Sequence, residues 1–396
     1  MSDEAKILVA ALCWKAFNFS LATLQLGVEN DSSSRIYLGL SRGESSCLLD
    51  RFLLSQLRWD AVQMAAVSEG GYLYESQHAF FPVYPLLCRA VSRALISLFC
   101  PDCCVFARRK ILLSAGLAIS NVSFLIAAVL LLRLSKTFFR RSRIPFLSAL
   151  LFVVQPGTVF VSSMYSESLF AMLCFLGMFF YQKRKFFLAS VVWGLSSATR
   201  SNGIAMAGFF LYSVLLERTA GAALRSFLYS AVSVSGFFLV DGYAKLSKGG
   251  GLGLLATFKE TLTHNSYVYV QRKYWDVGLF RFWALKQVPG FLYALPMILF
   301  SVAGLVSYFG GLVARSRKEF FTPAVFPYFV LWMFMTLQVT TAAHVNIIYR
   351  LFSSLPPVYW YGAYLAETKD SLLLLWISLS VSVSTGVLFS LFYPPT

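Results

Sequence analysis

From Ile111 to Leu134 the chain stays apolar for long enough to cross a bilayer, which takes about 20 mostly apolar residues. Further stretches of this kind run Ile7 to Val28, Ile144 to Val161, Met164 to Tyr181, Phe186 to Ala198, Gly203 to Leu216, Leu224 to Leu246, Val288 to Ala314, Phe320 to Ala343, Ile348 to Ala366 and Leu372 to Phe392. Together they predict an all-α, polytopic membrane protein with about eleven transmembrane helices. Composition agrees: 58% of residues are apolar and 13% charged, where a soluble domain carries roughly 25% charged residues. The stretch from Ile7 to Val28 lacks a small-residue cleavage site after a short apolar core, so it is expected to remain as a helix and not to leave as a signal peptide.

Lys and Arg outnumber Asp and Glu by 34 to 18, a formal net charge of +16. In a bilayer protein that surplus suits lipid headgroups and phosphate-bearing lipids, and it gives no reason to expect nucleic acid. The seven cysteines do not make a disulfide-stapled miniprotein at this length. Cys100, Cys103 and Cys104 lack the partner set of a zinc site, which leaves an oxidised pair or spare thiols.

Sidedness follows from the basic clusters, because cytoplasmic loops retain Lys and Arg. Arg140-Arg141-Ser142-Arg143, Lys183-Arg184-Lys185 and Arg315-Ser316-Arg317-Lys318 fall on one side if the N-terminus lies there too. Ala79 to Cys100 must then stay on the far side as an interfacial or re-entrant element, with Pro82, Pro85, Arg89 and Arg93 interrupting its apolar run. The far face receives Glu29 to about Lys110, the Ser162-Ser163 turn, the Thr199 to Asn202 turn, Ser247 to Gln287 and the His344 to Arg350 region. Gly249-Gly250-Gly251 reads as a flexible loop.

Chemistry is expected on that far face. Asp60, in Arg58-Trp59-Asp60, opens an amphipathic stretch from Ala61 to Val67. Two readings fit it: a general base beside an aromatic at the membrane surface, or the N-cap of an interfacial helix. Tyr72 and Tyr74, then Phe81 among prolines, offer flat faces for sugars or an isoprenoid, and serve equally as an interface belt. Glu167 and Arg200 each lie between two apolar stretches. A charge so placed is a functional candidate, with Arg suited to phosphate, and the alternative is a Glu167–Arg200 pair tying helices together. Tyr274-Trp275-Asp276, Lys286-Gln287 and Arg350 bring further polar groups and cations to the same surface, where snorkelling anchors would look alike.

These segments, in this order, resemble the PIG-V family of GPI mannosyltransferases of the endoplasmic reticulum. The resemblance rests on Arg58-Trp59-Asp60-Ala61, Glu69 to Glu75 with Ala79-Phe80-Phe81-Pro82, Tyr165 to Ala171, Ala198-Thr199-Arg200-Ser201-Asn202-Gly203, Tyr274 to Gly278, Leu285 to Pro289, and Gln338-Val339 with Arg350 and Tyr359-Trp360. It implies a GT-C glycosyltransferase fold with its active site on the lumenal side. The chain is then one membrane domain over 1–396: a first lumenal loop (29–110) bearing the catalytic Asp, core helices (111–246), a second lumenal loop (247–287) and C-terminal helices (288–396).

The implied reaction takes mannose from dolichyl-phosphate mannose and adds it, in α-1,6 linkage, to the first mannose of a mannosyl-glucosaminyl-phosphatidylinositol acceptor. A β-linked donor and an α-linked product mean inversion, so one base and one set of cations suffice. The resemblance makes Asp60 the base and Arg200, Lys286 and Arg350 the lipid-phosphate cations. Glu167 would position a sugar hydroxyl or an Arg, and Trp59, Tyr72, Tyr74, Phe81, Asn202, Trp275, Asp276 and Gln287 would line the substrates. No catalytic metal or other cofactor is expected, since a monophosphate donor has no diphosphate to bridge. The sequon Asn30-Asp31-Ser32 falls on the lumenal side. Rival readings are another dolichyl-phosphate-sugar transferase, or a lipid transporter, which would show mid-membrane polar sites in a repeated architecture.

Overall fold

The computed structural model describes residues 1–24, 31–40, 47–247, 265–368 and 373–391. Asn30 of the sequon and Gly249-Gly250-Gly251 lie outside the described residues. Among the described residues every regular element is helical. In chain order the α-helices are α1 (Asp3–Leu24), α2 (Ser33–Leu38), α3 (Leu48–Gln56), α4 (Asp60–Gly70), α5 (Val83–Phe99), α6 (Val105–Phe138), α7 (Ile144–Val153), α8 (Glu167–Gln182) and α9 (Phe186–Thr199). They continue as α10 (Gly208–Glu217), α11 (Ala220–Ser247), α12 (Ser266–Trp275), α13 (Val288–Val313), α14 (Phe326–Thr341), α15 (Ile348–Phe352), α16 (Pro356–Thr368) and α17 (Leu373–Ser390).

Helices α1, α6, α11, α13, α14 and α17 are long and apolar enough to cross a membrane, and α7 to α10 are shorter apolar helices. The protein is therefore a multi-pass membrane protein. Two of the apolar stretches are interrupted where proline dictates. Ile144 to Val161 stops being helical after Val153, ahead of Pro156-Gly157, and Ile348 to Ala366 divides at Ser353 to Leu355 before Pro356-Pro357. Proline offers no N–H and pushes the residue before it out of the helical region, so a helix ends there or begins afresh.

The irregular backbone from Val154 to Ser166 is buried almost throughout. Non-helical chain is tolerated at such depth only when other protein surrounds it and meets its polar groups. Here Lys15 of α1 donates to the Val161 carbonyl at 2.8 Å and to Ser162 Oγ at 2.6 Å, Asn121 donates to the Ser162 carbonyl at 2.8 Å, and Ser168 Oγ donates to the Val161 carbonyl at 2.7 Å. The Lys15 ammonium also lies 3.8 Å from the centroid of the Phe124 ring. This segment delivers Tyr165, Ser166 and Glu167 to a fixed place.

The three basic clusters gather at one end of the bundle, together with the N-terminus. Lys136 pairs with Asp3 at 2.7 Å and Arg133 with Glu4 at 2.8 Å. Glu319 accepts from the Arg141 backbone N–H at 3.1 Å, and Gln182 donates to Tyr328, whose ring meets Phe138 edge-on at 5.5 Å. At the other end α5 is amphipathic. It buries Tyr84, Cys88 and Ser92 while exposing Leu86, Leu87, Leu98 and Phe99. Tyr84 donates to the Gly116 carbonyl of α6 at 2.9 Å, and a Cys100–Cys103 disulfide closes the turn between α5 and α6. Arg89, read from sequence as an interruption, donates to the Val67 and Ser68 carbonyls at the end of α4.

Helices α9 and α11 touch through glycine. A Cβ on Gly236 would lie 2.0 Å from the Gly194 carbonyl oxygen and 2.8 Å from the Ala198 amide nitrogen, both backbone atoms. Close backbone approach through small residues is a common way for membrane helices to pack. Gly236→Val is expected to lower stability by about 1–3 kcal/mol through overpacking. Gly242→Ala, where an added Cβ meets nothing within 4 Å, is expected to leave it unchanged or higher. Thermal unfolding of the two purified variants in detergent measures the difference.

Candidate active site

Four segments far apart in sequence converge on one chain of ion pairs. Asp60 Oδ2 accepts from Arg350 Nη1 at 2.8 Å; Arg350 Nε donates to Glu167 Oε1 at 2.7 Å; and the same oxygen accepts from Arg200 Nη1 at 2.8 Å. The signs alternate from Asp60 through Arg350 and Glu167 to Arg200. Such alternation lets charges be withdrawn from water without leaving one uncompensated.

Each member is placed by a local device. Trp59 precedes α4 at φ 53°, a positive value that is uncommon outside glycine and costs energy to hold. Asp60 follows as the first residue of α4, so the cap position falls to Trp59, whose side chain makes no cap hydrogen bond. The Asp60 carboxylate turns to Arg350 instead, so the N-cap reading of Asp60 is not what the fold adopts. The backbone before it is pinned by Tyr165, whose hydroxyl donates to the Arg58 carbonyl at 3.2 Å.

Glu167 begins α8 directly after the buried irregular segment, and its side chain is 1% exposed. Arg200 caps the end of α9 in extended conformation and also donates to Ser166 Oγ at 3.3 Å. Arg350 stands on the short α15, with its guanidinium 4.9 Å from the Phe160 ring centroid and 5.2 Å from that of Tyr165. Aromatic faces beside a guanidinium add attraction where water is scarce. Asp60, at 34% side-chain exposure, is the most open of the four.

Glu167 Oε2 is buried and has no hydrogen-bond partner. An unsatisfied carboxylate oxygen at such a place costs free energy unless something with a hydrogen to donate comes to it.

The aromatic candidates divide. Phe81 is 3% exposed and packs edge-on to Tyr267 at 5.2 Å, and the Tyr267 hydroxyl accepts from Ser201 Oγ at 2.9 Å, next to Arg200. Phe81 is thus core behind the ion pairs. Asn202 is buried in the turn after Arg200. Tyr72 donates to the Phe80 carbonyl and stacks on His78 at 4.8 Å, while Tyr74 and Trp59 present exposed faces.

Glu75 joins the two far-face loops. It accepts from Lys273 at 2.7 Å and from the Tyr274 hydroxyl at 3.1 Å, and that hydrogen bond holds the Lys273 ammonium above the usual lysine range. Trp275 is half-exposed, with its carbonyl against His344 Nε2. Asp276 pairs with Arg281 at the surface at 2.7 Å. Lys286 is exposed, Gln287 precedes α13, and among the described residues no ion pair joins Lys286 to the Asp60–Arg200 chain. Of the three cations expected together, the fold couples two. Phe160 and Tyr267 went unread from the sequence: Phe160 sits in an apolar run, and Tyr267 is one tyrosine among many.

Replacing the residue shared by both guanidiniums should unsettle the fold more than replacing the terminal one. Glu167→Ala leaves Arg200 and Arg350 without their common partner and is expected to cost about 3–5 kcal/mol. Asp60→Asn, at the open end, is expected to stay within about 1 kcal/mol. Denaturation in micelles checks the order, and equal losses would contradict it.

The sequence matches the family described as Mannosyltransferase (PIG-V) over residues 29–396. It is 28% identical to a GPI mannosyltransferase 2 from Yarrowia lipolytica across 89% of this chain and 91% of that one. It is 29% identical to a GPI alpha-1,6-mannosyltransferase 2 from Rattus norvegicus across 84% and 77%. Among solved structures, ArnT from Cupriavidus metallidurans bound to undecaprenyl phosphate aligns with a TM-score of 0.48 at 11% identity. That alignment covers 93% of this chain and 62% of ArnT, so this chain spans less than two thirds of that protein's length.

Proposed function

The chain belongs to the mannosyltransferase (PIG-V) family, and from that membership we propose that it adds the second mannose, in α-1,6 linkage, to the first mannose of a GPI precursor. The donor is dolichyl-phosphate mannose, the acceptor a mannosyl-glucosaminyl-phosphatidylinositol, the architecture GT-C, and the site faces the lumen of the endoplasmic reticulum. The names of the relatives support the acceptor class and linkage. The gathering of Lys and Arg at the opposite end of the bundle from the ion pairs supports the lumenal placement.

The observation that carries the reading is the Asp60–Arg350–Glu167–Arg200 chain, which sets an accessible carboxylate against the Arg350 guanidinium and links it through Glu167 to that of Arg200. Inverting transfer needs that combination. Asp60 takes the proton from the acceptor 6-hydroxyl, the new C–O bond forms at the anomeric carbon, and the bond to the phosphate oxygen breaks with its electron pair leaving on the phosphate. Arg350 and Arg200 stabilise the charge that grows there. Because Arg350 also holds Asp60, the carboxylate is kept aimed until the acceptor arrives. The unpartnered Glu167 Oε2 suits a sugar hydroxyl. Exposed Trp59 and Tyr74 suit sugar faces or the headgroup edge.

The test is restoration of surface GPI-anchored proteins in cells lacking the second GPI mannosyltransferase. Wild type should rescue, whereas Asp60→Asn, expressed to the same level, should lose on the order of 10²-fold or more of the transfer rate. Rescue by Asp60→Asn at wild-type level would remove Asp60 as the base, and failure of correctly placed wild type would remove the acceptor assignment.

A further inference from the structure

The basic end of the bundle holds a cavity that the proposed reaction does not use. Its volume is about 690 Å³, and its lining brings Lys6 of α1, Lys136 at the end of α6, and Arg140 and Arg143 of the α6–α7 turn together with Asp3, Ser142 and the apolar Phe146. Four cations face one carboxylate. That carboxylate is already taken, since Asp3 Oδ2 accepts from Lys136 at 2.7 Å.

The other acids nearby are committed as well. Glu4 accepts from Arg133 at 2.8 Å, Glu319 from the Arg141 backbone N–H at 3.1 Å, and Glu367 from the Arg143 backbone N–H at 2.6 Å. The last two clamp the turn's backbone while leaving its side chains uncommitted. Among the described residues Lys6, Arg140 and the Arg143 side chain have no ion-pair partner. Ser142 Oγ is buried in the same turn with no hydrogen-bond partner. The N-terminus of α7 begins there too, adding the positive end of a helix dipole.

We propose that this cavity binds a phosphate group, carried by an anionic lipid headgroup or present as the free ion, at the end of the bundle opposite the Asp60–Arg200 chain. Clustered like charges repel one another until an anion joins them. Phosphate answers this set better than a carboxylate does, because its several oxygens accept from two guanidinium forks, an ammonium and a hydroxyl at once. Cytoplasmic leaflets are rich in lipids that present such a group to basic residues. A cluster serving only to fix topology would need no concave wall and no buried hydroxyl without a partner.

The test uses the full chain in detergent micelles, titrated calorimetrically with short-chain phosphatidic acid and with its phosphatidylcholine counterpart. Phosphatidic acid is expected to saturate one site per chain, and phosphatidylcholine none. The Arg140→Gln/Arg143→Gln double variant should bind about 30-fold more weakly. Arg317→Gln/Lys318→Gln, which removes the same charge from the same end outside the cavity, should stay close to wild type. Mannosyl transfer, carried at the other end, reports that each variant is folded. If the first double variant fails to fold, Lys6→Gln on the first turns of α1 replaces it, with an expected loss of about fivefold. Displacement by inorganic phosphate supports the free ion as a sufficient ligand; saturable binding that phosphate does not displace supports the lipid headgroup. Non-saturating uptake of phosphatidic acid, or equal weakening in both double variants, would overturn the site.

Discussion

A single oxygen, Oε1 of Glu167, accepts from two guanidiniums, and four parts of the chain are held together around it. Arg200 ends α9, Arg350 stands on α15, Glu167 opens α8, and Arg350 reaches on to Asp60 at the head of α4. Inside a bilayer protein none of these charges could be kept alone, because the cost of withdrawing an ion from water is recovered only by a close partner of opposite sign. Their pairing therefore locates the site and constrains the helices that form it. It also explains why the catalytic group proposed here is the member at the open end: an acceptor hydroxyl can reach Asp60 without dismantling the chain.

The ion pairs in turn depend on backbone that is not helical. Val154 to Ser166 crosses the interior as an irregular segment, which exposes carbonyls and amides that lipid could not satisfy. Lys15, Asn121 and Ser168 meet those groups. The result is a rigid platform that ends in Tyr165, Ser166 and Glu167, each of which contacts the site. Polar residues within apolar stretches, expensive anywhere in a membrane, are here the means of aiming functional side chains.

The two ends of the bundle are built to opposite rules. At the basic end cations outnumber acids, Asp3 and Glu4 pair with Lys136 and Arg133, and Glu319 and Glu367 hold a backbone turn, which leaves positive charge around a concave surface. At the other end Asp60, Arg350, Glu167 and Arg200 alternate in sign, and Glu75 ties one loop to another through Lys273 and Tyr274. The first arrangement attracts an anion from outside; the second holds charges of both signs close together without leaving one uncompensated.

Much of the fold is legible in the residues themselves. The length of apolar runs requires membrane helices, the Lys and Arg clusters belong at one end, and the motifs around Asp60, Glu167, Arg200 and Arg350 mark the candidate site, whereas the apolar runs across Pro156 and Pro356 conceal the breaks that divide them. Periodicity and composition carry this information because each property is local, set by a few neighbouring residues and the solvent they face. The choice of partners is not local. Arg350 and Glu167 lie 183 positions apart, and nothing in their flanking residues says that Glu167 meets both Arg350 and Arg200 while Lys286 stays apart on an exposed turn. Nor could sequence separate Phe81, which is buried, from Tyr74, which is exposed. The sequence by itself determined a helical membrane protein with its basic clusters on one side and its candidate site residues marked. Only the tertiary structure decided which charges neutralise one another, because that pairing depends on distances across the packed bundle, and in a medium of low dielectric a few ångströms separate a stable ion pair from an untenable charge.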